Sequence, residues 1–340
     1  MHPRIFTLIL LLLALAGVGC REGDPSPIDD TPYALQLPPG FPYPDIPEDN
    51  ALTVARVALG KRLFYDPILS ADSTISCTSC HLPALAFADD APISPGVGRR
   101  LGLRNAPTLA NVAYLTLVNK DGGVPKLDLQ ALVPIEDHNE MDLSILSAAL
   151  RLNAHPDYLE AFQRAYGEEA SPFTITRALA AFLRILISGD SPYDRYEQGK
   201  GSLSESAQRG STLFFSDRAQ CSSCHSGFNF TDNGFHNNGL YDTYADPGRM
   251  RATFLPEDEG KFRVPTLRNI ALTAPYMHDG SLPGLEAVIA HYNSGGSQHP
   301  NKDERIRPLG LSEMEKADLL AFLQALTDST FIANPEFLPE

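Results

Sequence analysis

No tryptophan occurs in the 340 residues, so no role in this chain can rest on an indole. Positive charge is in deficit: 27 Lys and Arg face 42 Asp and Glu, and the formal net charge is −15. That balance disfavours nucleic acid and anionic membrane surfaces as partners and leaves a basic protein or a neutral small molecule. Strand signals are scarce, which argues against a sheet-built fold. After the first twenty residues no apolar run is long enough to cross a bilayer. Cysteines number only five, and they are not spread as a disulfide framework would be. What is present, 43% hydrophobic residues over this length, suits two globular domains of ordinary size.

The opening stretch MHPRIFTLILLLLALAGVGC places Arg4 before an apolar run from Ile5 to Val18 and ends on Cys20. Residues 1–20 read as an export signal, which points to the periplasm. The stretch is similar to a bacterial lipoprotein signal, in which Cys20 would become the lipidated first residue and tether the protein without spanning the membrane. Gly17 stands where such signals usually carry Leu, so a plain signal peptide or an uncleaved anchor are the alternatives. Residues 21–48 carry eight prolines and read as an extended tether, or as a leader with no specific role.

The other four cysteines fall as CTSCH (Cys77, Cys80, His81) and CSSCH (Cys221, Cys224, His225), with none left over. Two thiols at i and i+3 on one helical turn reach the two porphyrin vinyls, and His at i+4 projects to the iron. A single such motif could be a redox dithiol or half a zinc site. Two copies in an exported chain point instead to two covalently bound c-type haems.

The chain also repeats itself. GKRLFYD (Gly60–Asp66) precedes the first motif and GSTLFFS (Gly210–Ser216) the second, each ending a helix that approaches its haem. After the motifs, NAPTLANVAY matches RVPTLRNIAL and DGGVPKLD matches DGSLPGLE, all at one offset of 158 residues, as Pro107 to Pro265 and Asp121 to Asp279 show. The repeat equates the segments after the two DG turns, one containing Glu140 and the other Tyr292. Since CxxCH helices supply the proximal histidines, these later segments are the natural suppliers of the opposite faces. Met277 lies before its turn, opposite Asn119, so Tyr292 is favoured over Met277 as the second iron's other ligand.

Remaining apolar patterning is helical: Ala55, Leu59 and Leu63 make one stripe, Ser171 and Pro172 open a helix expected to stop at Gly189, and Ser312 with Glu315 forms a capping box. The expected fold is all-α, with two cytochrome c-like haem domains carrying long loops, at residues 49–200 and 201–330.

Taken with the two CxxCH motifs, the LFYDP, RNAPTL, NEM and VPTLRNIALTAPYMHDG stretches make residues from about Asn50 to Thr327 resemble the bacterial dihaem cytochrome c peroxidases, in their MauG-like branch. The resemblance implies that hydrogen peroxide reacts at the N-terminal haem while the C-terminal haem relays or stores oxidising equivalents. It implies that Glu140 is the distal glutamate assisting O–O cleavage, a role that suits a carboxylate able to take a proton from one peroxide oxygen and return it to the other. Read alone, Glu140 would more simply cap the following helix together with Asp142. The resemblance gives Tyr292 the place of the second haem's sixth ligand, which is methionine in the ordinary peroxidases; an anionic oxygen there favours the higher oxidation states. It also implies Ca²⁺ between the haems, held by the Asn105 side chain and the Thr273 and Pro275 carbonyls.

Two positions depart from the ordinary pattern. Val97 stands where those peroxidases carry a loop histidine that blocks the first haem, and an aliphatic side chain cannot ligate iron. Lys120 stands where the family places a tryptophan between the haems, so the charge would move more slowly or by another route, with Lys120 paired to a haem propionate or merely solvated. The electron source implied is a small periplasmic redox protein or, in the MauG manner, a side chain of a partner protein. The alternative class is a dihaem electron-transfer cytochrome without catalysis.

Overall fold

A computed structural model describes residues 27–339. Cys20 and the export signal lie outside the described residues. No helix among the described residues is long and apolar enough to cross a membrane.

The helix Val54–Tyr65 begins at Thr53, whose hydroxyl accepts the Arg56 amide, and it buries Leu59 and Leu63. It crosses the helix Pro172–Arg184 at Gly60, where an added Cβ would lie 1.9 Å from the Ala178 carbonyl oxygen. Only a glycine permits that approach of two backbones. The helix Glu205–Phe214 meets the helix Glu313–Gln324 in the same manner: a Cβ on Gly210 would lie 1.9 Å from the Asp318 carbonyl oxygen. Gly60 and Gly210 are the two residues that open the matched GKRLFYD and GSTLFFS stretches.

Beside each crossing an aromatic pair fills the core. Phe64 and Phe182 are 5.2 Å apart at 56°, and Phe214 and Phe322 are 5.0 Å apart at 54°. Inclined aromatic pairs of this kind contribute about 0.5–1.5 kcal/mol beyond the area they bury. The buried apolar residues form two clusters, one around Phe64, Phe162 and Phe182 and the other around Phe214, Phe230 and Phe322.

The clusters join at Ser188. Asn111 and Asn269, which correspond in the repeat, both take left-handed backbone with φ of 61°, a conformation asparagine tolerates better than most residues. The Asn111 amide donates to the Ser188 carbonyl at 2.9 Å and accepts the Ser188 N–H at 2.9 Å, while Asn269 donates to the Ser188 hydroxyl at 2.9 Å. Asp328 Oδ2 accepts from the Ser188 hydroxyl and from the Gly189 and Asp190 amides, each at 3.0 Å. These tertiary bonds explain why the helix from Pro172 ends at Arg184 and not at Gly189: the backbone from Leu186 onward is committed to Asn111 and Asp328.

The two ends of the described chain pack onto this frame. The Tyr33 amide donates to the Leu52 carbonyl at 3.0 Å, and the Phe41 ring lies 4.7 Å from Phe228 and 6.2 Å from Tyr114. Phe331 and Phe337 return to the first cluster, beyond the boundary expected at residue 330. Phe235–His236 and Phe262–Arg263 pair antiparallel as the one sheet among the described residues.

Candidate functional site

Each CxxCH motif folds as a single 3-10 turn, Cys77–Ser79 and Cys221–Ser223, tighter than the α-helical turn its spacing suggests. The His81 amide donates to the Cys77 carbonyl at 3.0 Å and the His225 amide to the Cys221 carbonyl at 2.9 Å, which draws cysteines and histidine onto one face. Cys77, Cys80, Cys221 and Cys224 form no disulfide. Burial pushes the thiol pKa up to about 12 for Cys77 and to about 11 for Cys80 and Cys221.

Both histidine rings are oriented by a carbonyl. Nδ1 of His81 lies 2.9 Å from the Phe87 oxygen and Nδ1 of His225 lies 3.0 Å from the Phe230 oxygen. A carbonyl only accepts, so Nδ1 carries the proton and Nε2 keeps its lone pair for iron. Burial holds both rings below the ordinary histidine pKa and therefore neutral. Unpaired thiols on one turn beside a neutral imidazole with a free Nε2 fit a covalently attached haem at each motif. The orienting carbonyls were not singled out from sequence. Phe87 and Phe230 both adopt positive φ, 59° and 50°, but they follow their histidines by different spacings, which hides them from a fixed-offset comparison.

At the first motif, Val97 is buried and its amide donates to the Glu140 carbonyl at 2.8 Å. Gly96 makes that approach possible, because a Cβ there would lie 2.1 Å from the Asn139 oxygen and 2.4 Å from the Glu140 oxygen. Arg100 closes the loop by donating to the His138 carbonyl and to Asp142 Oδ2, both at 2.6 Å. The Glu140 carboxyl keeps an accessible face, yet the surrounding protein and then Asp137 raise its pKa to about 6. Glu140 is not a helix cap: Ser144 holds that place, and the Ile145 amide donates to Glu136.

At the second motif, Asn238 is tied to the segments that carry both candidate ligands: its amide donates to Met277 Sδ at 3.2 Å and its backbone carbonyl accepts His291 Nε2, beside Tyr292, at 3.0 Å. Burial raises the Tyr292 phenol above its ordinary pKa, and the Asn238 side chain offsets part of that rise. Met277 has left-handed backbone with φ of 78° and gives its carbonyl to Lys120 Nζ at 3.2 Å. Asn238 carries no motif that sequence reasoning could have read.

Lys120 lies in a charged group between the motifs. Burial, then Arg263 and Arg104, pull its pKa down to about 7, while Asp279 and Asp246 act the other way. Arg104 holds Asp121 at 2.7 Å and Asp246 at 2.5 Å, and Arg263 Nε donates to the Asn119 carbonyl at 3.3 Å. Asn105 is buried close by, its Nδ2 donating to the Ala91 carbonyl at 3.2 Å, which turns Oδ1 away from that bond. Among the described residues no hydrogen bond is made to the Thr273 or Pro275 carbonyl.

The family model described as Di-haem cytochrome c peroxidase matches residues 54–202. The methylamine utilization protein MauG of Methylorubrum extorquens is 38% identical over 86% of this chain and 83% of its own length. Cytochrome-c peroxidase IdrP1 of Denitromonas iodatirespirans is 36% identical over 94% of this chain and 93% of its own. In structure, a MauG-like protein associated with microbial copper homeostasis superposes with a TM-score of 0.85 at 38% identity, covering 90% of this chain and 99% of that one. The diheme peroxidase BthA of Burkholderia thailandensis shares the fold at a TM-score of 0.74 and 23% identity, over 83% of this chain and 88% of that one. With that degree of identity over nearly its whole described length, and with both attachment turns in place, the chain belongs to the di-haem cytochrome c peroxidase and MauG family, an oxidoreductase family that carries two haems.

Proposed function

We propose that the protein is an exported dihaem peroxidase of MauG-like ligation that reduces hydrogen peroxide at the N-terminal site, in an architecture of two cytochrome c-like domains. The observation that carries this reading is the pairing of Val97 with Glu140: a side chain without a ligating atom is held against the backbone of a carboxyl whose pKa is raised to about 6. A haem bound through Cys77, Cys80 and His81 would supply the coordination position for peroxide and the redox change. Glu140 takes a proton from the near peroxide oxygen and delivers it to the far one, which departs as water. The second haem would be held by Cys221, Cys224 and His225, with Tyr292 as its other ligand and Met277 kept off by Asn238. Asn105, Thr273 and Pro275 hold Ca²⁺ between the two sites. Cys20 is the lipid anchor, and the periplasm the compartment.

The test is rapid mixing of the protein carrying both haems with one equivalent of peroxide while the haem spectrum is recorded. Loss of a positioned acid–base group slows such a step by about 10²–10⁴-fold. Glu140→Gln should fall in that range, and an unchanged rate in that variant defeats the reading. EPR of the resting ferric protein separates the second-haem ligands: Tyr292→Phe should alter the low-spin signal and Met277→Leu should not.

The electron source is taken to be a side chain of a partner protein. The likeness to MauG supports this reading, and the likeness to cytochrome-c peroxidase IdrP1 supports a small periplasmic redox protein as the alternative donor; the copper-associated MauG-like protein makes copper-dependent expression the first response to try. Protein levels that do not respond to copper would count against such a response.

A further inference from the structure

The chain lacks tryptophan, and a saturated lysine occupies the position between the sites, so charge leaving the second site needs other carriers. The loop 237–244 offers them. It is fastened to both sides of that site: the Asn238 carbonyl accepts His291 Nε2 at 3.0 Å on the Tyr292 helix, and the Asn238 amide reaches Met277 Sδ at 3.2 Å. Tyr244 sits behind these contacts with its hydroxyl fixed twice, donating to Asn237 Oδ1 and accepting the Leu240 amide, both at 3.0 Å. Its ring lies 5.9 Å from that of His278, the residue that follows Met277. The Tyr241 ring meets Tyr244 edge-on at 5.7 Å, and the half-buried Tyr241 is followed by the exposed Asp242 and Thr243. The Tyr241 hydroxyl donates to Asp279 Oδ2 at 2.6 Å, so a base is already in place for its proton.

We propose that Tyr244 and Tyr241, ending at Asp279, form the exit through which oxidising equivalents pass from the second haem site to a partner at the surface. In each step Tyr241 gives one electron by way of Tyr244 to the oxidised second haem, and its O–H bond breaks with the proton passing to Asp279. A one-electron donor at the surface, such as a phenol or indole of a partner protein, then returns an electron to Tyr241 while Asp279 returns the proton. Two such cycles match the two electrons that one peroxide consumes. A phenol without a base beside it could not lose its electron so readily, because the radical cation left behind is strongly acidic.

This exit rests on the oxidising role proposed above, and its test keeps the two separable. The protein carrying both haems is oxidised in two ways, by one equivalent of peroxide and by a flash-activated ruthenium photosensitiser that bypasses Glu140, then frozen for EPR. A tyrosyl signal that narrows on ring-deuteration of tyrosine is expected from the wild type in both arms. Tyr241→Phe should lose that signal and lengthen the life of the oxidised haem spectrum, and Tyr244→Phe should do the same. Dityrosine mapped to Tyr241 by mass spectrometry in the absence of a partner is a second expected readout. A tyrosyl signal undiminished in both variants, or haem oxidation by the photosensitiser that decays with no protein radical, overturns the exit. Failure confined to the peroxide arm strikes the peroxide reaction and leaves the exit standing.

Discussion

The amide nitrogen of Val97 donates to the carbonyl oxygen of Glu140 at 2.8 Å, so the loop that could block the first site and the carboxyl that would serve it move as one unit. Arg100 adds bonds to the carbonyl of His138 and the carboxylate of Asp142 on either side of Glu140.

Val97→His places an imidazole on that loop. The resting ferric EPR spectrum should lose its high-spin component and peroxide should react only after reduction of the second haem. A spectrum that keeps the high-spin signal would show that the loop does not reach the iron.

Protonation of Glu140 removes the base that begins the peroxide step. Because partial desolvation by the surrounding protein and then Asp137 raise its pKa to about 6, the carboxylate form, and with it the rate of peroxide reaction, should climb as pH rises through about 6 and level off above. The slope should be absent in Glu140→Gln, as rapid-mixing rates across pH 5 to 8 would reveal.

Gly60→Ala and Gly210→Ala each push a methyl toward a backbone oxygen 1.9 Å away, so a whole helix must shift. Overpacking of this kind costs about 1–3 kcal/mol or somewhat more. Both variants should lower the denaturant midpoint measured by circular dichroism. A Gly98→Ala control, whose nearest neighbour is the flexible end of Arg100 at 3.2 Å, is strained only through its φ of 64°.

Asp328 accepts bonds from Ser188, Gly189 and Asp190 through one oxygen and from Thr330 and Phe331 through the other. Burial pushes its pKa up, but these bonds outweigh that and hold it below the ordinary aspartate range. Its contribution is therefore complete above the unfolded pKa and is lost as pH falls through the lower folded value. Asp328→Ala leaves several donors unsatisfied at about 1–3 kcal/mol each. Thermal unfolding should show a lower midpoint at pH 7 and a smaller gap from wild type at pH 3.

Much of the architecture was legible because it is written in local, repeated chemistry. The capping box of Ser312 and Glu315 forms as the sequence implies, and Ser171 caps the Pro172 helix, where the structure adds Thr174 as its reciprocal partner. The matched stretches mark the two helix crossings through Gly60 and Gly210. The end of the Pro172 helix was misplaced because its stop is set by Asn111 and Asp328, distant in the chain, and not by Gly189. The return of Phe331 and Phe337 to the first cluster was hidden for the same reason.

By itself the sequence determined two places where paired thiols and an imidazole recur at the spacing of one turn, and it determined that Val97 cannot ligate iron. Only the tertiary structure decided which tautomer each histidine holds, how Gly96 sets Val97 against Glu140, and that Asn238 ties Met277 to the Tyr292 helix. Spacing along the chain constrains groups a turn apart. Hydrogen bonds between residues tens of positions apart depend on how the helices cross, and that is fixed by packing of the whole core.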